Sequence, residues 1–247
     1  MGRTTDEIKE AVQEHYGKRA RDVSSSCCGA DAPDSRSQLY QVGDVASLPD
    51  TVPSYGCGNP TAIAGMKAGE VVLDLGSGPG LDCFLSAKQV GVTGRVIGLD
   101  MTQDMLDLAN ANREKLGAKN VEFRKGEMES MPVDSASIDV IISNCVINLS
   151  PDKDAVFSEA FRVLKPGGRL HVSDVVLGRE LTEDEKGDLA LWTGCRAGAL
   201  LEDDYLARLR GAGFAVVRVE SRSEITDKAW YSATISAYKA GAVTSCC

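Results

Sequence analysis

VVLDLGSGPGLD, from Val71 to Asp82, joins an apolar run to a glycine-rich turn and the start of a helix. The run reads as a strand buried on both faces, the usual condition in a parallel sheet. Gly76, Gly78 and Gly80 allow positive φ and a close approach of backbone to ligand. The helix that follows aims its free N–H groups at the same place. A dinucleotide fingerprint needs its third glycine one position later, where Leu81 stands. That shift favours S-adenosylmethionine over NAD, because a sulfonium donor has no pyrophosphate to cradle.

Working outward from this turn, strand and helix patterns alternate. Arg95 to Leu99 reads as a second strand closed by Asp100 and Met101, and Thr102 as the N-cap of a helix reaching Leu116. Asp100 stands where a carboxylate accepts both ribose hydroxyls. A third strand over Val121–Arg124 leads to Gly126, Glu127 and Met128, where an adenine edge is held. The β-branched run Ile138–Ser143 is a fourth strand, with Asn144 at its end facing the crevice outside the strand carboxyl ends. A helix over Asp152–Leu164 stops at Lys165-Pro166-Gly167-Gly168, and Arg169–Asp174 is a fifth strand. Glu183–Leu209 reads as helical with a break near Gly194 and Gly198, and Phe214–Val219 and Tyr231–Tyr238 as closing strands. The expectation is an α/β fold with an open, doubly wound, Rossmann-like sheet. Asp74 has two readings, as a ligand to the donor or as a brace for the loop amides.

Composition narrows the function. A formal charge of −9 argues against nucleic acid, which asks for a basic surface. No apolar run reaches the roughly 20 residues of a membrane span, and the charged start lacks a signal-peptide core. A cytoplasmic location is the expectation. Eight cysteines point to ligating or redox thiols more than to a disulfide scaffold. There is no CxxC and only two histidines, so no structural metal is expected.

Taken singly, a cysteine reads as a small buried hydrophobe, and Cys83 keeps that reading. Cys145 directly follows the fourth strand, where methyltransferases present their acceptor. Cys57 and Cys195 lie in glycine-flanked breaks. Soft thiolates select soft acceptors, and trivalent arsenic fits best. Arsenic bound by three sulfurs keeps a lone pair able to attack a methyl group, so positioning matters more than a general base. The scarcity of histidine agrees with this.

The chain resembles the arsenite methyltransferases. The resemblance is carried by EHYG (Glu14 to Gly17), SYGCGNP, VLDLGSGPGLDCF, SNCVINLSPDK, VLKPGGRLHVSDV and TGCRAGA, which together span most of the chain. It implies a class I methyltransferase core, methyl transfer from S-adenosylmethionine to As(III), and ligation of arsenic by Cys57, Cys145 and Cys195. It implies arsenite and methylarsenite as thiol complexes for substrates, and a thioredoxin-like or small-thiol reductant as partner. It also implies that an upstream cysteine pairs oxidatively with Cys57; Cys27 and Cys28 both stand in place, with Cys28 preferred. The expected divisions are an N-terminal cysteine-bearing cover (1–66), the donor-binding core (67–177), arsenic-binding helices with closing strands (178–240) and a disordered tail (241–247). In that tail, Cys246 and Cys247 read either as a capture pair for arsenic or as frayed chain. A carbon methyltransferase acting on a quinone or sterol would leave Cys57 and Cys195 replaceable. A non-catalytic thiolate sensor would bind As(III) without consuming the donor.

Overall fold

Alternating apolar residues build the sheet and divide its core in two. In β1 (Val71–Leu75), Leu73 and Leu75 turn to one face while Val72 and Asp74 turn to the other, as the two-residue period of a strand requires. β2 (Arg95–Asp100) and β4 (Ile138–Asn144) repeat the division, Ile97, Leu99 and Ile141 against Val96, Val140 and Ile142. The computed structural model describes residues 4–25, 36–224 and 229–241. Cys27, Cys28, Cys246 and Cys247 lie outside the described residues.

The elements run α1 (Thr5–Ser25), α2 (Arg36–Leu39), α3 (Val42–Val45), α4 (Pro60–Ile63), β1, α5 (Leu81–Val90), β2, α6 (Gln103–Leu116), β3 (Val121–Lys125) and β4. A 3-10 turn (Ile147–Leu149) follows, then α7 (Lys153–Val163), β5 (Leu164–Leu177), α8 (Glu183–Gly187), α9 (Leu189–Thr193), α10 (Glu202–Gly211), β6 (Val216–Glu224) and β7 (Trp230–Tyr238). The seven-stranded sheet has the order β3-β2-β1-β4-β5-β7-β6, and β7 alone runs against its neighbours. Strand order reverses between β1 and β4, so a crevice opens at their carboxyl ends. Phe157 of α7 and Tyr205 and Leu209 of α10 cover one face, and Phe84, Leu85 and Val90 of α5 the other.

Several boundaries differ from the sequence reading. β5 begins at Leu164 and runs to Leu177, carrying the Lys165–Gly168 stretch as an irregularity against β4. The helical stretch after Glu183 resolves into three short helices, because Thr182, Asp188 and Leu201 each start a new one. Asp188 accepts the amides of Ala190 and Leu191, which restarts the helix one residue after α8 ends. Thr102 stands at the N-cap of α6, but its side chain caps nothing; its amide donates to Asp100 Oδ1 at 2.8 Å. Among the described residues no helix is long and apolar enough to cross a membrane.

Candidate active site

The turn after β1 holds φ angles of 64°, 50° and 97° at Gly76, Gly78 and Gly80, a run that only glycine enters without strain. A side chain at Gly76 would collide with Val146, whereas one at Gly78 would enter open space. That space belongs to a crevice of about 990 Å³, open mouth included. Asp74, Asp82 and Asp100 line it, the first two buried and Asp100 half-buried, and desolvation raises the proton affinity of each, to about 6 for Asp82. None of the three has an ion-pair partner among the described residues. Three such carboxylates suit a ligand that brings positive charge and repel a pyrophosphate. The brace for the loop falls on Asp100, whose Oδ2 accepts the Gly78 amide at 2.9 Å. Asp74 instead accepts the Cys83 thiol at 3.2 Å, so Cys83 is a buried thiol with a local partner.

Asn144 ends β4 and joins this crevice to the segment carrying Cys57. Its Oδ1 accepts the amides of Cys57 (3.1 Å) and Gly58 (3.3 Å). Its Nδ2 donates to the Gly58 carbonyl at 2.8 Å, the Tyr40 hydroxyl at 2.9 Å and Asp82 at 3.2 Å. Tyr40 in turn donates to Asp82 at 2.8 Å. The glycine before Cys57 follows from this contact: a Cβ at Gly56 would lie 2.3 Å from the Asn144 amide.

The thiols meet beyond Asn144. Sγ of Cys57, Sγ of Cys145 and a carboxylate oxygen of Asp174 lie within 4.8 Å of one another. The Cys195 thiol donates to the Cys145 carbonyl at 2.6 Å. Hydrogen bonding with Cys195 and Cys57, followed by burial, pushes the Cys145 thiol well up. Cys145 and Cys195 hold φ of 61° and 60°, left-handed values that cost a non-glycine residue roughly 1 kcal/mol each. Strain of this kind collects at working sites. The loop of Cys195 is held by Asn148, whose Nδ2 donates to the carbonyls of Val175 (2.6 Å) and Cys195 (3.2 Å). The surroundings are apolar, with Val12, Leu149, Val175 and Trp230 packed around the thiols.

The methyltransferase-domain family model matches residues 66–216. An arsenite methyltransferase of Aquipseudomonas alcaligenes is 40% identical over 97% of this chain and 75% of its own length. One from Halobacterium salinarum is 45% identical over 91% of this chain and 62% of its own. The chain belongs to the arsenite methyltransferase family. A crystal structure of an arsenic (III) S-adenosylmethionine methyltransferase from Chlamydomonas reinhardtii superposes with a TM-score of 0.73 at 40% identity, covering 80% of this chain and 73% of that one. The chain thus spans about three-fifths of the Halobacterium relative and three-quarters of the Aquipseudomonas one.

In this arsenite methyltransferase family member, Asp74, Gly76, Gly78, Asp100, Met101, Glu127, Met128 and Asn144 all border the crevice, and Gly80 forms the N-cap of α5 behind it. Cys145 borders the crevice and belongs to the thiol cluster as well. The sequence reading did not single out Asp174, Tyr16 or Lys9. Asp174 carried a signal, an acidic residue inside the apolar strand LHVSDVVL, where charge is costly. Burial pushes its carboxyl up to about 7. Lys9 and Tyr16 of α1 reach the crevice from outside the sheet; Lys9 pairs with Glu127 at 2.6 Å, and the Tyr16 hydroxyl donates to the Thr193 carbonyl at 3.2 Å. Helical spacing alone does not reveal which surface a terminal helix covers.

Proposed function

We propose that the chain is an S-adenosylmethionine-dependent arsenite methyltransferase that methylates thiol-bound As(III) to mono- and dimethylated arsenicals, a detoxifying reaction. The observation that carries this reading is that Cys145, which borders the crevice, has the Cys57 thiol beside it and accepts the Cys195 thiol at its own carbonyl. When bound, S-adenosylmethionine supplies an electrophilic methyl group. Asp100 accepts its ribose hydroxyls in this reading, Glu127 and Met128 flank its adenine, and the carboxylates of Asp74 and Asp82 offset its positive charge.

The thiols do the rest of the work by position. Three sulfurs satisfy the valence of As(III) and leave its lone pair free, so no side chain has to remove a proton from the attacking atom. Apolar side chains around the thiols limit the water that competes for arsenic, while half-buried Cys57 leaves the site open to ligand exchange. Cys145, shared by both compartments, fixes how close acceptor and donor come. Arsenite and methylarsenite arrive as thiol complexes, and a thioredoxin-like or small-thiol reductant exchanges ligands and reopens any disulfide between Cys57 and Cys27 or Cys28. The cytoplasm, reducing and rich in thiols, is the compartment that suits this chemistry.

Valence supplies the test. Methylarsenite has one position committed to carbon and takes two thiolates, which Cys145 and Cys195 provide. Cys57→Ser is expected to abolish methylation of arsenite and to leave methylation of methylarsenite largely intact. Cys145→Ser and Cys195→Ser are expected to lose both. The measurement is the rate of each variant on each substrate, with arsenic species separated afterwards. Equal losses by Cys57→Ser on both substrates would contradict the assignment. A carbon methyltransferase would tolerate the changes at Cys57 and Cys195, and a sensor would bind arsenite while leaving the donor unconsumed.

A further inference from the structure

Asp174 has no part in the valence argument, yet it sits among the thiols. Arsenic(III) has three positions and three cysteines to fill them, so a hard oxygen donor is surplus to it. The Asp174 side chain is fully buried. Among the described residues no Lys, Arg or His nitrogen lies within 4.0 Å of it. Its oxygens accept the Val175 amide of its own strand at 3.0 Å, the Tyr205 hydroxyl of α10 at 3.4 Å and the backbone of Asn148. A buried carboxylate with no cation in contact is destabilising unless something offsets its charge, and Lys153 acts on Asp174 only from a distance.

We propose that Cys57, Cys145 and Asp174 form a site for a thiophilic divalent d10 cation, Zn2+ or Cd2+, which competes with arsenic for the same thiols. Two sulfurs and one carboxylate oxygen are donors such ions accept. The three ligand atoms already lie within 4.8 Å of one another, so tetrahedral spacing asks for a contraction of about 1 Å. The fourth position falls to water, which reaches the cluster past the half-buried Cys57. Binding releases the two thiol protons to solvent and leaves two thiolates and one carboxylate around the cation. The complex carries one net negative charge, and the Lys153 ammonium, which already acts on Asp174 electrostatically, lies on that side. Arsenic and the cation are told apart by the oxygen: the cation needs Asp174 and arsenic does not. The inference rests on the geometry of the cluster and stands whether or not arsenic binds there.

The test uses the full-length chain with Cys27→Ser, Cys28→Ser, Cys246→Ser and Cys247→Ser, so that outlying thiols do not contribute. Cadmium alone is titrated without oxygen and followed by thiolate-to-cadmium charge-transfer absorption, then arsenite is added in competition. One cadmium per chain is expected. Asp174→Asn is expected to weaken cadmium binding at least tenfold while arsenite affinity changes less than threefold, and Cys83→Ser to alter neither. Undiminished cadmium binding by Asp174→Asn or by Cys145→Ser would overturn the proposal. Cadmium NMR on the parent chain needs no substitution at Asp174: a shift in the mixed sulfur–oxygen range supports the site, and an all-sulfur or all-oxygen shift refutes it. Failure of arsenite to bind at all would count against the proposed methylation and leave the cadmium result to be judged by itself.

Discussion

At the scale of single residues, Asn144 does more than the sequence promised. It was expected at the donor crevice, and it borders the crevice, but its amide is fully occupied by the Cys57–Gly58 backbone, Tyr40 and Asp82. Asn144→Ala removes that clamp, and each buried partner left unpaired costs about 1–3 kcal/mol. The expected outcome is a loss of at least tenfold in arsenite methylation with a clearly smaller loss on methylarsenite, which in the proposed scheme needs only Cys145 and Cys195. Parallel rate measurements on the two substrates check it; equal losses would make Asn144 a donor-site residue only. Asp100 gives a second prediction at this scale. Its two oxygens each hold one backbone amide and keep lone pairs for a ligand. Asp100→Ala is expected to weaken S-adenosylmethionine binding by roughly ten- to a hundredfold, equivalent to about 1.5–3 kcal/mol. Calorimetry reads this directly, and unchanged affinity would remove Asp100 from the donor site. What the sequence could not supply was the partner of each side chain. The glycines flanking Cys57 were visible, but their reasons, Asn144 2.3 Å from where a Cβ on Gly56 would stand and Ser173 2.6 Å from one on Gly58, required the fold.

At the scale of elements, the strands were legible and the short helices were not. β1, β2 and β4 announce themselves by continuous apolar residues and end within one residue of expectation. α8 and α9 depend on side chains that cap rather than on periodicity, so one broken helix stood in for them. α7 carries a testable consequence at its first residue. Lys153 is buried, with its ammonium donating to the Ser150 carbonyl at 2.8 Å, and desolvation lowers its pKa to about 8. The unfolded chain keeps an ordinary lysine near 10.4. Between about pH 8 and 10 the unfolded state therefore binds more protons than the native state, and stability rises with pH. The folded protein is expected to gain up to roughly 3 kcal/mol over that range relative to Lys153→Met, which has no such titration. Denaturant unfolding of the pair at stepped pH measures the difference. Parallel curves would show that the amine stays charged in the fold.

At the scale of the whole molecule, one sheet positions two chemistries side by side. The reversal between β1 and β4 places the glycine turn and Cys145 on one crevice, and β5 and the loop after α9 bring Asp174 and Cys195 against Cys145. α1 closes the arrangement from outside, lying against α6 on the donor side and α9 on the thiol side. The sheet was legible because its strand and turn signals are local in sequence, and the cysteine motifs were visible for the same reason. The acid beside the thiols and the covering helix were hidden because both depend on contacts between distant segments. The central claim is that Cys57, Cys145 and Cys195 act as one arsenic site. The arsenic X-ray absorption spectrum of the full-length chain with the four outlying cysteines (27, 28, 246 and 247) changed to serine, loaded with arsenite and no added thiol, tests it most directly. Three sulfur neighbours and no oxygen are expected, with Cys57→Ser falling to two sulfurs and one oxygen. A first shell dominated by oxygen, or one that keeps three sulfurs after Cys57→Ser, would contradict the account.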